Sequence, residues 1–145
     1  ILYAEDNDND VLLVQMALQR SSPDVLLKTV PDGQEALAYL AGEGKYANRN
    51  EYPIPHFLLL DLKMPRLNGI ELLEWIRSQP RLRNIPVIML TASLEMSDQE
   101  RCYALGANSF VIKPNSIDDL IAFTGLLSKY WLQWNRASHI EVVRV

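Results

Sequence analysis

FLLLDLKMP, residues 57 to 65, carries two signals that pull in opposite directions. Its leading apolar residues read as a strand buried on both faces, as in a parallel sheet. The run then ends on Asp61, a residue type that avoids deep burial, and Pro65 stops it soon after. A carboxylate brought to the end of a buried strand needs a reason.

Short apolar runs alternate with longer segments of helical period on either side of this stretch. ILYA (1–4), VLLKTV (25–30), HFLLLD (56–61), PVIMLT (86–91) and NSFVIK (108–113) read as five strands. Helices are expected from Asp8 to Gln19, with Val11, Leu12, Val14 and Leu18 inward, and from Gly33 to Ala41. A third helix follows an Asn68 cap to Ser78, a fourth follows a Ser97 cap to about Gly106, and a fifth follows a Ser116 cap to about Trp134. The polar stretch GEGKYANRNEYPIP (42–55) is long for a connection in such a unit.

Strands and helices in strict alternation mean a parallel sheet covered on both faces, and right-handed crossovers restrict it to a doubly wound α/β sheet. One domain is expected over residues 1–136, with 137–145 as a separable tail. The 145-residue length, 48% hydrophobic and 22% charged, suits a single sizeable core. A net charge of −4 argues against nucleic-acid binding, which needs a basic face. No apolar run approaches the ~20 residues of a membrane span. The single cysteine, Cys102, excludes an internal disulfide, fits a reducing compartment and reads as a small buried hydrophobe. The chain opens on ILYA without Met, so a trimmed start is expected.

In doubly wound sheets the functional crevice lies outside the carboxyl ends of the strands. Glu5 and Asp6 end the first strand, Asp61 the third, Thr91 and Ala92 the fourth, and Lys113 the fifth. The second strand ends in Val30, Pro31 and Asp32, to which no role is given. Packed together, three carboxylates repel and resist ionising, so a cation must offset them. Mg²⁺ prefers such hard oxygen donors. With that ion present Asp61 can stay ionised and act as a nucleophile, while Lys113 and Thr91 face arriving negative charge. The set suits phosphoryl transfer.

Each piece alone has a plainer reading. Asp after a strand is often a turn former or cap, Glu5-Asp6 a solvated loop before an Asp8 cap, and Lys before Pro a surface residue. Their coincidence at matching strand ends favours function.

YAEDN, LLLDLKMPRLNG, VIMLTAS and GANSFVIKP, in this order, resemble a response-regulator receiver domain of the two-component signalling systems. The resemblance spans nearly the whole chain and implies the (βα)5 flavodoxin-like fold with strand order 2-1-3-4-5. It implies that Asp61 is the phosphoacceptor, taking a phosphoryl group from a phosphohistidine on a sensor histidine kinase. Asp6 and Asp61, with Glu5 through water and the backbone carbonyl of Lys63, would hold Mg²⁺. Thr91, Lys113 and the amide of Ala92 would bind the phosphoryl oxygens, and Phe110 would be the switch aromatic. The Lys113-Pro114 bond would be cis. Two departures stand out: Phe110 lacks the phenol of the Tyr version, and Lys63 puts a cation two residues after the phosphoacceptor.

No output module follows the receiver in the sequence. The loop GEGKYANRNEYP, the Glu-Asp order and the long last helix resemble small, cytoplasmic bacterial regulators that serve phytochrome-type kinases. Rivals fit less well. A haloacid-dehalogenase-like phosphatase wants a second acid where Lys63 sits. A docking-only receiver would lack an acid, the hydroxyl or the lysine. A flavodoxin-like small-molecule binder would not place EDNDND where an anion must sit.

A helix from Ser116 to Trp134 would run about 28 Å, against about 17–20 Å for a strand of ordinary length. Its last turns should overhang the sheet, which makes Tyr130, Trp131 and Trp134 candidates for a subunit or partner contact. A homodimer through the fourth helix, fifth strand and fifth helix, or through the C-terminal extension, is one arrangement left open, since the sequence does not fix the oligomeric state. HIEVVRV (139–145) suits an added edge strand.

Overall fold

The structure, a computed structural model, describes residues 1–137. Five strands, β1 Leu2–Ala4, β2 Lys28–Val30, β3 Leu58–Leu60, β4 Val87–Thr91 and β5 Ser109–Ile112, form one parallel sheet in the order β2-β1-β3-β4-β5. Five α-helices alternate with them, the last following β5: α1 Asp8–Ser21, α2 Gly33–Ala41, α3 Gly69–Ser78, α4 Met96–Ala104 and α5 Ile117–Ser128. The expected doubly wound architecture and strand order are those observed.

The period of two in the strands sorts their side chains between two cores. Leu2, Ala4, Leu58, Leu60, Val87 and Met89 pack against α2 and α3. Tyr3, Phe57, Leu59, Ile88 and Leu90 pack against α1 and α5. Leu58, Leu59 and Leu60 are at most 1% exposed, and burying each contributes about 1.5–3 kcal/mol. FLLLD therefore feeds both cores at once, as a central strand of a doubly covered sheet must.

The ladder extends one residue past β3, where the Asp61 amide donates to the Ala4 carbonyl at 3.1 Å. The chain turns sharply there. Gly69 N–H closes the loop onto the Leu62 carbonyl at 3.0 Å, and a Cβ at Gly69 would overlap the carbonyl of Asp61. Asn68 caps α3 with a full capping box: it accepts from the Glu71 amide at 2.9 Å while the Glu71 side chain accepts from the Asn68 amide. Asp61 thus sits on a short, doubly anchored turn.

Local expectations fail where side chains outbid the general rules. β2 starts at Lys28 rather than Val25, because the Val25 amide closes a turn onto Ser22 and leaves Leu26 exposed. Asn7, not Asp8, caps α1, accepting from the Asp10 amide at 3.1 Å. Ser97 does not cap α4; it lies inside the first turn. Ser93 does the local work instead, accepting from the Glu95 amide at 3.3 Å and donating to Asp98 at 2.7 Å. The Lys113-Pro114 bond is trans, the isomer that X-Pro bonds favour by about 0.5–1 kcal/mol.

The 42–55 stretch is packed structure rather than open loop. It contains a short 3-10 turn, Gly44–Ala47, and packs Tyr46 and Tyr52 against Tyr39 of α2, tilted or edge to face, at ring separations of 5.0 to 5.8 Å. Arg49 donates to the carbonyls of Tyr39 and Leu40, at 2.7 and 2.9 Å, and so closes the end of α2. The last helix changes character after Ser128. A π-helical segment, Lys129–Trp134, follows α5, and the Asn135 amide donates five residues back to Tyr130 at 2.7 Å. That widening turns Trp131 and Leu132 onto the α1/α5 core and leaves Tyr130 and Trp134 54% and 72% exposed. The HIEVVRV stretch lies outside the described residues.

Candidate functional site

The carboxyl end of β1 carries Glu5, whose side chain alternates to the same side as Tyr3. Glu5 is only 2% exposed. Its Oε1 accepts from the Asn7 amide at 3.1 Å, and its Oε2 accepts from the Tyr3 hydroxyl at 3.2 Å and pairs with Lys113 Nζ at 2.7 Å. Asp61 is buried as well: Oδ1 accepts from the Leu62 amide at 2.7 Å, and Oδ2 lies 3.4 Å from Lys113 Nζ. Asp6 is exposed, yet carboxylate oxygens of Glu5, Asp6 and Asp61 lie within 4.8 Å of one another.

Lys113 enters from β5 and is the cation of the cluster. Besides Glu5 and Asp61 it binds Asp10 of α1 at 2.8 Å. Burial alone would push its ammonium below the ordinary range, but the bonds to Asp10 and Glu5 outweigh it and raise the group. Burial pushes the Glu5 carboxyl up to about 7, helped by the charge of Asp61 and opposed by Lys113. These two shifts pull against each other across one 2.7 Å contact. Several acids share one ammonium, so Lys113 keeps its proton and the surplus negative charge is relieved at Glu5, which is held deepest.

Thr91 ends β4 at 1% exposure, with Oγ1 accepting from the Ser93 amide at 3.2 Å. Ala92 is exposed on the turn beyond it. Phe110 is half-buried on β5 against the α2/α3 core, and its amide donates to the Tyr103 hydroxyl at 3.1 Å. Lys63 is exposed on the turn after Asp61. The structure therefore brings Glu5, Asp6, Asp61 and Lys113 into one cluster. Tyr130, Trp131 and Trp134 belong to the separate π-helical end of the chain.

Three side chains that matter here were not singled out from the sequence. Asp10 was hidden because a first-turn acid is commonplace; the signal was that α1 begins only three residues after Glu5, so its first turn overhangs the strand ends. Tyr3 reads as one more strand hydrophobe, with no sign of its hydroxyl bond. Asp32, given no role, is buried and caps α2 through the Glu35 amide at 2.8 Å. It also pairs with Arg66 at 2.6 Å. Arg66 lies in the turn after Asp61 with φ of +67°, a left-handed conformation rare outside glycine. A Cβ on Gly33 would overlap the Leu67 carbonyl, so α2 and this turn meet at backbone contact. The turn carrying Lys63 is thus pinned from two sides.

The donor set fits a hard divalent ion: all carboxylate, two of the three groups buried, and more negative charge than one lysine offsets. Comparison with known proteins points the same way. Residues 1–124 match the response regulator receiver domain. The probable methanogenesis regulatory protein FilR2 of Methanothrix harundinacea is 37% identical over 140 residues, covering 94% of this chain and 86% of that protein. Response regulator Rcp1 of Synechocystis sp. is 36% identical over 133 residues, covering 92% and 88%. The structure of the Mn²⁺-bound form of Rcp1 superposes with a TM-score of 0.82 at 33% identity, covering 95% and 97% of the two chains. That of the phosphorylated cyanobacterial phytochrome response regulator RcpA superposes with a TM-score of 0.85 at 35% identity, again over 95% and 97%. With this sheet order, this acidic end and these relatives, the chain belongs to the response regulator receiver domain family of two-component signalling.

Proposed function

We propose that this receiver takes a phosphoryl group onto Asp61 from a phosphohistidine of a sensor histidine kinase, and that residues 1–136 act as one switching unit. The observation that carries the reading is a buried carboxylate on a central strand, 3.4 Å from a lysine that two other acids hold in place. In the transfer the phosphorus–nitrogen bond of the donor breaks as a phosphorus–oxygen bond forms to Asp61, and the imidazole leaves. The work is positioning and charge neutralisation. The Leu62 amide orients Oδ1 of Asp61, which leaves the carboxylate fixed before the donor arrives. Lys113, with the Thr91 hydroxyl and the Ala92 amide, would receive the phosphoryl oxygens. Glu5, Asp6, Asp61 and the Lys63 carbonyl would hold Mg²⁺, which when bound offsets the charge of donor and acceptor together. The same groups account for a self-catalysed gain and loss of the phosphoryl group without turnover of a free substrate.

The output is a change of protein-binding surface. Phe110 lies on β5 opposite Met89 of β4, with its amide already tied to the Tyr103 hydroxyl of α4. Leu94 just before α4, Met96 and Tyr103 in it and Ile112 on β5 expose 42–82% of their surfaces, and this supports a partner or a second copy on this part of the molecule. The exposed Tyr130 and Trp134, with Trp131 behind them, offer an alternative contact. A phytochrome-type kinase is the favoured donor, since RcpA is a phytochrome response regulator. No helix among the described residues is long and apolar enough to cross a membrane, and a cytoplasmic site of action accords with that.

The test is intact mass after incubation with acetyl phosphate, with and without Mg²⁺, for the wild type and Asp61→Asn. One hydroxylamine-sensitive phosphoryl adduct that needs both Mg²⁺ and Asp61 is expected. An adduct that persists in Asp61→Asn would refute the assignment of the phosphoacceptor. No adduct from either acetyl phosphate or a phosphorylated kinase would refute the function.

A further inference from the structure

We propose that Asp10 is a positioning residue that holds Lys113 back from the phosphoacceptor and yields it when a phosphoryl group arrives. This rests on the phosphoacceptor reading of Asp61 and adds a residue to it. The lysine ammonium has three protons to donate, and three carboxylates take them: Glu5 at 2.7 Å, Asp10 at 2.8 Å and Asp61 at 3.4 Å. Its longest contact is the one to Asp61. A phosphoryl oxygen can bind Lys113 only by displacing one of the three.

Of the two close partners, Asp10 is the one that leaves at lower cost. Its side chain is 33% exposed against 1% for Glu5, so water can take over its lost hydrogen bond, whereas Glu5 would be stranded in the core. It is also the acid of the three that stands outside the candidate metal cluster of Glu5, Asp6 and Asp61. Its side chain pairs with the lysine and takes no place among the metal donors. A small cleft of about 30 Å³, lined by Tyr3, Asp10, Leu13, Lys113 and Leu120 among others, borders the Asp10–Lys113 pair. The backbone of Asp10 is held independently, because its amide is the donor that Asn7 caps. Changing the side chain leaves that cap in place.

The test is the affinity for fluoroberyllate, a tetrahedral mimic of a phosphoryl group, measured calorimetrically at saturating Mg²⁺. Competition for Lys113 predicts that Asp10→Asn binds the mimic roughly fivefold more tightly than wild type, the scale of one partly exposed ion pair. Asp8→Asn removes the same charge from the same helix turn without touching Lys113 and should bind as wild type does. Asp10→Glu should return toward the wild-type value. In a Lys113→Gln background, adding Asp10→Asn should change nothing. A gain of equal size in that background would mean plain charge repulsion and overturn the proposal, as would an Asp10→Asn protein that binds no more tightly than a competent wild type. A wild type that fails to bind the mimic at all would sink the phosphoacceptor reading, and this inference with it.

Discussion

Metal-free protein should lose stability as pH rises from 5 to 8, and Glu5→Gln should abolish most of that loss. Glu5 ionises near 4.5 in an unfolded chain and is pushed up to about 7 in the folded one, chiefly by burial. Between those values the folded state keeps a proton that the unfolded state has released. The folded state then binds more protons, so stability falls with rising pH across that window and levels off on either side. A full displacement of this size corresponds to about 3 kcal/mol. The residue is 2% exposed, so solvent screening removes little of it, while sharing of charge with Lys113 removes some. About 1–3 kcal/mol is the expected drop.

The assay is urea unfolding in excess chelator at pH 5, 6, 7 and 8, run in parallel on wild type and Glu5→Gln. The chain's two histidines are common to both proteins, so the difference between the curves isolates Glu5. Added Mg²⁺ favours the ionised carboxyl and should stabilise the wild type more at pH 8 than at pH 5. A wild type whose stability holds steady or climbs from pH 5 to 8, in step with Glu5→Gln, would show that Lys113 fully neutralises Glu5 and that the reasoning from burial is wrong.

Other outcomes follow from packing and backbone geometry. Leu59→Ala, in the α1/α5 core at 1% exposure, should cost about 2–5 kcal/mol in denaturant unfolding; a cost under 1 would mean that core is not close-packed. Gly69→Ala should cost about 1–3 kcal/mol and impair phosphorylation as well, because the new methyl meets the carbonyl of Asp61 itself; retention of full phosphorylation would refute the tight turn. Arg66→Gly should melt at a higher temperature than Arg66→Ala, since both lose the pair with Asp32 but only glycine relaxes at a φ of +67°. Cys102, fully buried with its thiol pushed up to about 11 by burial, should resist thiol reagents at pH 8 until the protein unfolds; fast labelling of the native protein would contradict its place in the core.

The architecture was legible because it rests on patterns that are redundant along the chain. Five apolar runs with helical segments between them admit few arrangements, and each run repeats the message of the others. Single-residue details have no such redundancy. Ser97 and Ser93 are both plausible caps by type, and only the position of Asp98 decides which hydroxyl is used. The change from α5 to a π-helical end at Lys129 has no signature in KYWLQW; it shows in which aromatics reach the core. The 42–55 stretch looked like loop because its residues are polar by count, while its order comes from three tyrosines and one arginine arranged in space.

The same distinction runs through the site. Strand ends converge by topology, so Glu5, Asp61, Thr91 and Lys113 could be gathered from the sequence without knowing a single side-chain direction. Asp10 and Asp32 come from helix starts, where acids are expected for reasons of capping and dipole, and that expectation masks any second task. In both cases the second task is holding a cation: Asp10 holds Lys113, and Asp32 holds Arg66 on the turn that follows Asp61. Lys113 reaches Asp61 from the β5 side, and Arg66 lies on the turn that follows it. A helix-start acid should therefore be weighed by what its first turn overhangs. Here α1 begins three residues beyond Glu5 and α2 three beyond Val30, so each first turn lies over the carboxyl edge where the chemistry gathers.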